Sequence, residues 1–73
     1  MSEEQFTYNR TWEEIEDMLD RAERKQNLHY SETQKTHDKK KRIEHMRNYK
    51  ALEGVIKSLR WVLGDKDVNH PLE

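Results

Sequence analysis

The sequence of 73 residues contains no cysteine, one proline and two glycines. Without cysteine the chain can form neither a disulfide nor a cysteine-ligated zinc site. Two glycines are too few for the glycine-rich loops that hold phosphates or dinucleotides. The longest apolar run is the triplet 61–63, whereas a membrane-spanning helix needs roughly 20 apolar residues. These absences argue against a disulfide-stabilised domain, a nucleotide-dependent enzyme and a membrane-spanning chain.

Apolar residues are also scarce, at 32% of the chain against 40% charged residues. A chain of this length has little apolar area to bury, so the core should be thin. We predict a single small domain over residues 1–73 without catalytic activity, because packed helices in so short a chain rarely enclose a water-excluding pocket. No cofactor or metal is expected, since the spacing of the histidines matches no metal motif. Of the four, His45 falls on the core side of a predicted helix and should be partly buried.

Charge is distributed unevenly although the net charge is only −1. Residues 1–20 hold seven acids and one base, for a net of −6, and residues 21–42 hold eight bases and three acids, for a net of +5. Residues 43–73 have five of each. The first residues lack the basic lead and apolar stretch of a targeting segment, so a cytoplasmic location is expected.

The first predicted helix covers residues 12–26. Thr11 and Glu14 have the spacing of a capping box, in which each side chain accepts a backbone N–H from the other residue. The apolar residues that follow recur every three or four positions and give a narrow stripe. Asn27, which tolerates a left-handed backbone, is the predicted end.

The second predicted helix is longer and covers residues 39–63, with Asp38 as its N-cap and Gly64 as its stop. A tail over 64–73 is expected to be disordered. The apolar face of this helix consists of Tyr49, Leu52, Val55, Ile56, Leu59, Val62 and Leu63, and it continues upstream through Ile43 and Met46.

Matching the two stripes gives a mainly α fold, an antiparallel two-helix hairpin. Trp12 then lies near Leu63 and Ala22 near Leu52, and residues 39–48 extend beyond the first helix. The connection over 27–38 is longer than most links between helices. Apolar pairs at a spacing of two occur in residues 5–8 and 28–31, so a minimal two-stranded β pairing of these segments stays open as an addition to the hairpin.

Trp61 is the strongest candidate for contact with a partner. It projects away from the first helix, on the side of Ile43, Arg47 and Lys50, so it is either an exposed aromatic anchor with positive charge around it or a side chain that a terminal segment covers. The same question applies to the aromatic residues ahead of the first helix, and the basic run at 39–42 could steer a partner. The predicted partner-binding residues are Trp61, Phe6, Tyr8, Lys39, Lys40, Lys41, Arg42 and Arg47.

The capped segment Thr11–Glu14, the basic centre Lys39–Arg42 and the amphipathic closing helix together resemble the small phage-encoded regulators of host bacterial RNA polymerase. The resemblance concerns size and character over the whole chain, and no family residue is carried over. It implies binding to the large subunits of bacterial RNA polymerase in the host cytoplasm, with displacement of the sigma factor and an effect on termination.

The leading hypothesis is therefore a non-catalytic inhibitor of transcription initiation that acts through protein contact. One alternative is a nucleic-acid-binding module that uses residues 39–42, although the acidic first third would repel a phosphate backbone and makes direct nucleic-acid binding the weaker reading. Another is a helical assembly protein that dimerises along the incompletely covered second helix, so both a monomer and a weak homodimer are compatible with the sequence.

Overall fold

A computed structural model describes residues 9–68 and 70–72 of the chain. Two α-helices of equal length, α1 (Trp12–Lys35) and α2 (Lys39–Val62), are joined by the three residues 36–38. They pack side by side in opposite directions. The predicted antiparallel helical hairpin is therefore confirmed, and the described residues contain no β-strand.

The start of α1 is set by local hydrogen bonds. The backbone N–H of Glu14 donates to the Thr11 hydroxyl at 3.0 Å, and the backbone N–H of Thr11 donates to the Glu14 carboxylate at 2.9 Å. This is the predicted capping box. The two bonds satisfy N–H groups that have no partner within the helix.

The predicted end of α1 at Asn27 is wrong, because the helix continues for two more turns to Lys35. The expected connection over 27–38 and the strand at 28–31 are both replaced by helix over most of their length. The partner strand at 5–8 lies outside the described residues. No glycine or proline interrupts 27–35, and the polar seam residues His29 and Thr33 are accommodated against the opposite helix without breaking the helical backbone.

The turn between the helices is stabilised by capping on both sides. The backbone N–H of Thr36 donates to the carbonyl of Glu32 and ends α1. Asp38 begins α2 as predicted, since its carboxylate accepts the N–H of Lys40 at 2.9 Å and of Lys41 at 3.4 Å. A connection of only three residues brings the C-terminal half of α1 alongside the N-terminal half of α2.

The two helices meet along a seam whose residues alternate at spacings of three and four. On both helices these positions are buried or half-buried. The spacing averages the 3.5 residues of a coiled-coil heptad. In α1 the seam consists of Ile15, Leu19, Ala22, Gln26, His29 and Thr33, and in α2 of His45, Tyr49, Leu52, Ile56, Leu59 and Leu63.

Contacts across the seam give the alignment of the helices. The Gln26 side-chain amide donates to the carbonyl of Tyr49 at 3.4 Å, and the Nδ1 atoms of His29 and His45 are 2.9 Å apart. In an antiparallel hairpin the numbers of facing residues have a nearly constant sum. This sum is 74 or 75 for both pairs, and also for Trp12 with Leu63 and Ala22 with Leu52. The structure therefore has the predicted alignment of the stripes. The predicted overhang of residues 39–48 is wrong, because they lie opposite the extended part of α1.

The seam is apolar toward the open end of the hairpin and polar toward the turn. Ala22 and Ile56 are its only buried apolar residues in the described part of the chain. Nearer the turn, the buried Thr33 donates its hydroxyl to the carbonyl of Tyr30 at 2.6 Å. The core is as thin as the composition predicted, and the half near the turn depends on paired polar groups.

The end of α2 is a Schellman motif around Gly64, the predicted stop. Gly64 has φ +85°, its N–H donates to the carbonyl of Trp61, and the N–H of Asp65 donates to the carbonyl of Arg60 at 2.9 Å. The described tail residues then form further turns, and Val68 and Pro71 face α2 across a cleft.

Candidate partner-binding surface

The outer face of α2 near the turn carries a shallow depression of about 420 Å³. Its lining is almost wholly hydrocarbon at the surface, while the side chains around it end in positive charge. We call this surface the basic–apolar patch and define it by its lining residues, Arg42, Ile43, Met46, Arg47 and Lys50.

Ile43 and Met46 supply the apolar floor of the patch. The prediction that the apolar core face of α2 continues through both residues is wrong, because they are 44% and 43% exposed, although they do lack cover from α1 as the dimerising alternative requires. His45 and Tyr49 occupy the seam at this level instead. A helix has one inward stripe, so once these two face α1 the intervening residues turn outward.

The cations of the patch have few partners among the described residues. Arg42 donates to the carbonyl of Thr36 at 2.9 Å, and the Lys50 ammonium lies 3.6 Å from the carboxylate of Glu53. Arg47 forms no ion pair within the described part of the chain. The patch therefore keeps most of its positive charge available to an incoming group.

Positive charge also accumulates just before the patch. Lys39, Lys40 and Lys41 are exposed in the first turn of α2, which contains no acidic residue. The N-terminal end of a helix is itself electropositive, so these side chains add to the positive potential there and do not neutralise it. This arrangement favours an acidic partner over a basic one.

Trp61 is 52% exposed, which favours the first of the two alternatives left open for it, but it lies far from the basic run. Arg47 and Lys50 lie fourteen and eleven positions before Trp61, which is about 21 Å and about 16 Å along a helix. The predicted ring of positive charge from Arg47 and Lys50 around Trp61 is therefore wrong, although all these residues share the outer face of α2. Phe6 and Tyr8, the other predicted aromatic anchors, lie outside the described residues.

Two aromatic residues that the nucleic-acid alternative would use to stack on bases meet across the two helices. The rings of Tyr30 and Tyr49 are 6.1 Å apart and tilted by 45°, and Tyr30 is more than half exposed. Their proximity follows from the extension of α1 past Asn27. A sequence reading that ended α1 at that residue could not bring them together.

The histidine pair is a second feature that was not predicted from the sequence. His45 is half-buried as expected, and its Nδ1 faces the Nδ1 of His29 at 2.9 Å, with ring centroids 5.2 Å apart. One nitrogen must carry a hydrogen and the other accept it, so the two rings share a single bridging proton. No cluster of three or more acidic, histidine or cysteine side chains suited to a metal occurs within the described ranges.

Within residues 9–68 and 70–72, neither helix has an apolar stretch able to cross a membrane. Comparison with protein-family models, with curated proteins and with solved structures gives no match for this chain.

Proposed function

We propose that this chain is a non-catalytic protein-binding module that docks through the basic–apolar patch. The observation that carries the proposal is the depression floored by Ile43 and Met46 and bordered by three cations. Such a floor contributes apolar burial on binding, and desolvation at its centre strengthens the contacts around it. The fitting partner is an acidic protein surface with a projecting apolar side chain, since complementary charge speeds association and selects the orientation.

We propose the large subunits of bacterial RNA polymerase as the partner, and inhibition of transcription initiation as the consequence. The support is the resemblance to small phage-encoded polymerase regulators together with the chemistry of the patch. A hairpin of 73 residues would act by occupying a surface that the sigma factor uses. An effect on termination would follow if the hairpin stays bound during elongation.

The test compares two methionine variants. Met46→Asp places a carboxylate in the apolar floor, whereas Met18→Asp makes the same change on α1, where the side chain is 49% exposed and outside the patch. Binding to purified core RNA polymerase should weaken at least about tenfold for Met46→Asp, because a buried unpaired charge at an interface costs more than 1.4 kcal/mol. Met18→Asp should bind as the wild type does.

Sigma competition and promoter-dependent transcription provide the functional readout. The wild type and Met18→Asp should displace sigma and inhibit initiation, and Met46→Asp should do neither. Failure of the folded wild type to bind polymerase at low salt would rule out polymerase as the partner. Equal binding by both methionine variants would rule out the basic–apolar patch as the docking surface. Sedimentation of the wild type at two concentrations separates the dimerising alternative, in which the patch contacts a second copy.

The basic first turn of α2 favours one second candidate, a nucleic-acid-binding module. Lys39, Lys40 and Lys41 are exposed together there, and phosphate groups would contact their ammonium groups, since the carboxylate of Asp38 already accepts the backbone N–H groups of Lys40 and Lys41. In that case the logarithm of affinity should fall with the logarithm of salt concentration by nearly one unit per phosphate neutralised. Lys40→Gln and Lys41→Gln would weaken such binding, while Met46→Asp would have little effect beyond its added negative charge.

A further inference from the structure

We propose that His29 and His45 form a two-ligand site for a divalent transition-metal ion, with copper(II) as the preferred ion. This inference is independent of the proposed partner. The contact between His29 and His45 is the one place in the described seam where two potential metal ligands from different helices meet. Their Nδ1 atoms are 2.9 Å apart, and both side chains are only half-buried, so an ion can reach them from solvent.

Ligand geometry and binding strength together indicate which ion the two nitrogens would prefer. With metal–nitrogen bonds of about 2.05 Å, two ligands at a right angle are about 2.9 Å apart, and two ligands at the tetrahedral angle are about 3.3 Å apart. A right angle is the geometry of neighbouring ligands in tetragonal copper(II) and nickel(II) sites, and copper(II) binds most tightly in the divalent series. The observed 2.9 Å is the ordinary length of the hydrogen bond and is compatible with this ligand angle, and the preference for copper(II) rests on its binding strength.

The existing hydrogen bond shows how the site would be loaded. The bridging hydrogen now occupies one Nδ1, and in a neutral imidazole it can reside on Nε2 instead. With both hydrogens on Nε2, both Nδ1 lone pairs are free and no net proton is released. The ion would sit about 1.4 Å from the line between the nitrogens, so each Nδ1 lone pair must turn by roughly 45° from its hydrogen-bonding direction.

The surroundings limit the affinity but do not block the site. Only two protein ligands are available, because the described residues contain no larger cluster. On the helices around the pair, Lys25 and Lys41 repel a cation, while Glu32 and Glu44, each within one turn of a histidine, attract it. The remaining coordination positions would hold water or another small ligand.

Metal binding would strengthen the weaker half of the hairpin. The seam near the turn lacks large apolar residues, and an ion bridging the helices stabilises the folded state by binding it alone. His45 also precedes Met46, so the ion would hold the part of α2 that carries the basic–apolar patch.

The test titrates copper(II) chloride into the full chain in a non-coordinating buffer at pH 7.5. One equivalent should raise the thermal unfolding midpoint of the wild type by about 5 °C or more, the shift expected from a ligand that adds roughly 1 kcal/mol to a domain of this size. His37→Gln, which removes an exposed histidine in the turn, should show the same rise. His29→Gln and His45→Gln should lose it.

Electron paramagnetic resonance keeps the proposal testable if a seam variant fails to fold. Copper bound to the wild type and to His37→Gln should show hyperfine coupling to two equivalent imidazole nitrogens. No rise in the unfolding midpoint for the wild type, an equal rise in His29→Gln, or a spectrum with only one coordinated imidazole would each overturn the proposal.

Discussion

The guanidinium of Arg60 donates to the carboxylate of Glu23 and joins the two helices beside the apolar half of the seam. It is the one ion pair between the helices in the described part of the chain, since the others link residues three or four apart. Both side chains are more than a third exposed, so solvent screens the interaction.

We expect the Arg60–Glu23 pair to contribute about 0.5 kcal/mol to the free energy of unfolding at low salt. A double-mutant cycle with Arg60→Gln and Glu23→Gln, measured by urea denaturation, isolates this coupling energy. The coupling should shrink as sodium chloride is raised toward 1 M, where the screening length falls to about 3 Å. A coupling above 2 kcal/mol, or one insensitive to salt, would contradict this account.

The two glycines should respond in opposite directions to replacement by alanine. Gly64 has φ +85°, which alanine adopts only with strain, so Gly64→Ala should lower the free energy of unfolding by about 1 kcal/mol. Gly54 lies within α2, and a Cβ there would meet nothing within 4 Å. Gly54→Ala should therefore raise the free energy of unfolding by about 1 kcal/mol, because alanine restricts the unfolded chain and favours helix. Thermal unfolding of the two variants checks both signs, and a Gly64→Ala variant as stable as the wild type would contradict the assignment of the Schellman motif.

The capping box of α1 should make stability depend on acidic pH. The backbone N–H of Thr11, assisted by the guanidinium of Arg10, holds the pKa of Glu14 below its usual value of 4.5. A carboxyl with a lowered folded-state pKa adds stability above about pH 4.5, and this contribution is lost as the pH falls through the folded-state pKa. Glu14→Gln retains an oxygen that can accept the Thr11 N–H but does not titrate.

The free energy of unfolding should therefore fall less steeply between pH 5 and pH 3 in Glu14→Gln than in the wild type. Denaturation at several pH values measures the two slopes. Parallel curves would show that the carboxylate of Glu14 contributes nothing to the helix start.

Helix boundaries set by neighbouring residues were predictable from the sequence. Thr11, Asp38 and Gly64 each act through hydrogen bonds or backbone angles within a few positions, and all three were assigned correctly. The extension of α1 past Asn27 was not predictable in this way. Its seam positions are polar, and they become favourable only through groups on the opposite helix, such as His45 for His29.

The same limit explains the correction at the candidate surface. An apolar stripe on α2 can be drawn through Ile43 and Met46 or through the line that continues from Leu52 to Tyr49 and His45. Hydrophobicity alone selects the first. The second is the observed one because a heptad seam keeps one face of α2 against α1 over its whole length. The exposed Ile43 and Met46 are then left to form the basic–apolar patch.

The last prediction concerns Ile56, the buried apolar residue of α2. Removing three carbons there takes away burial and leaves space that the thin core cannot refill, so Ile56→Ala should cost about 2–4 kcal/mol. A domain of this size has a total stability of only about 3–5 kcal/mol, and this variant should be largely unfolded at 37 °C by circular dichroism.

Ile56→Val, which removes one methyl group, should cost about 1 kcal/mol and stay folded. Val55→Ala changes the neighbouring residue, which is substantially exposed, and should change the free energy of unfolding by less than about 0.5 kcal/mol. If Val55→Ala proved as damaging as Ile56→Ala, α2 would have to be rotated about its axis relative to α1, and the seam through His45, Tyr49 and Ile56 would be wrong.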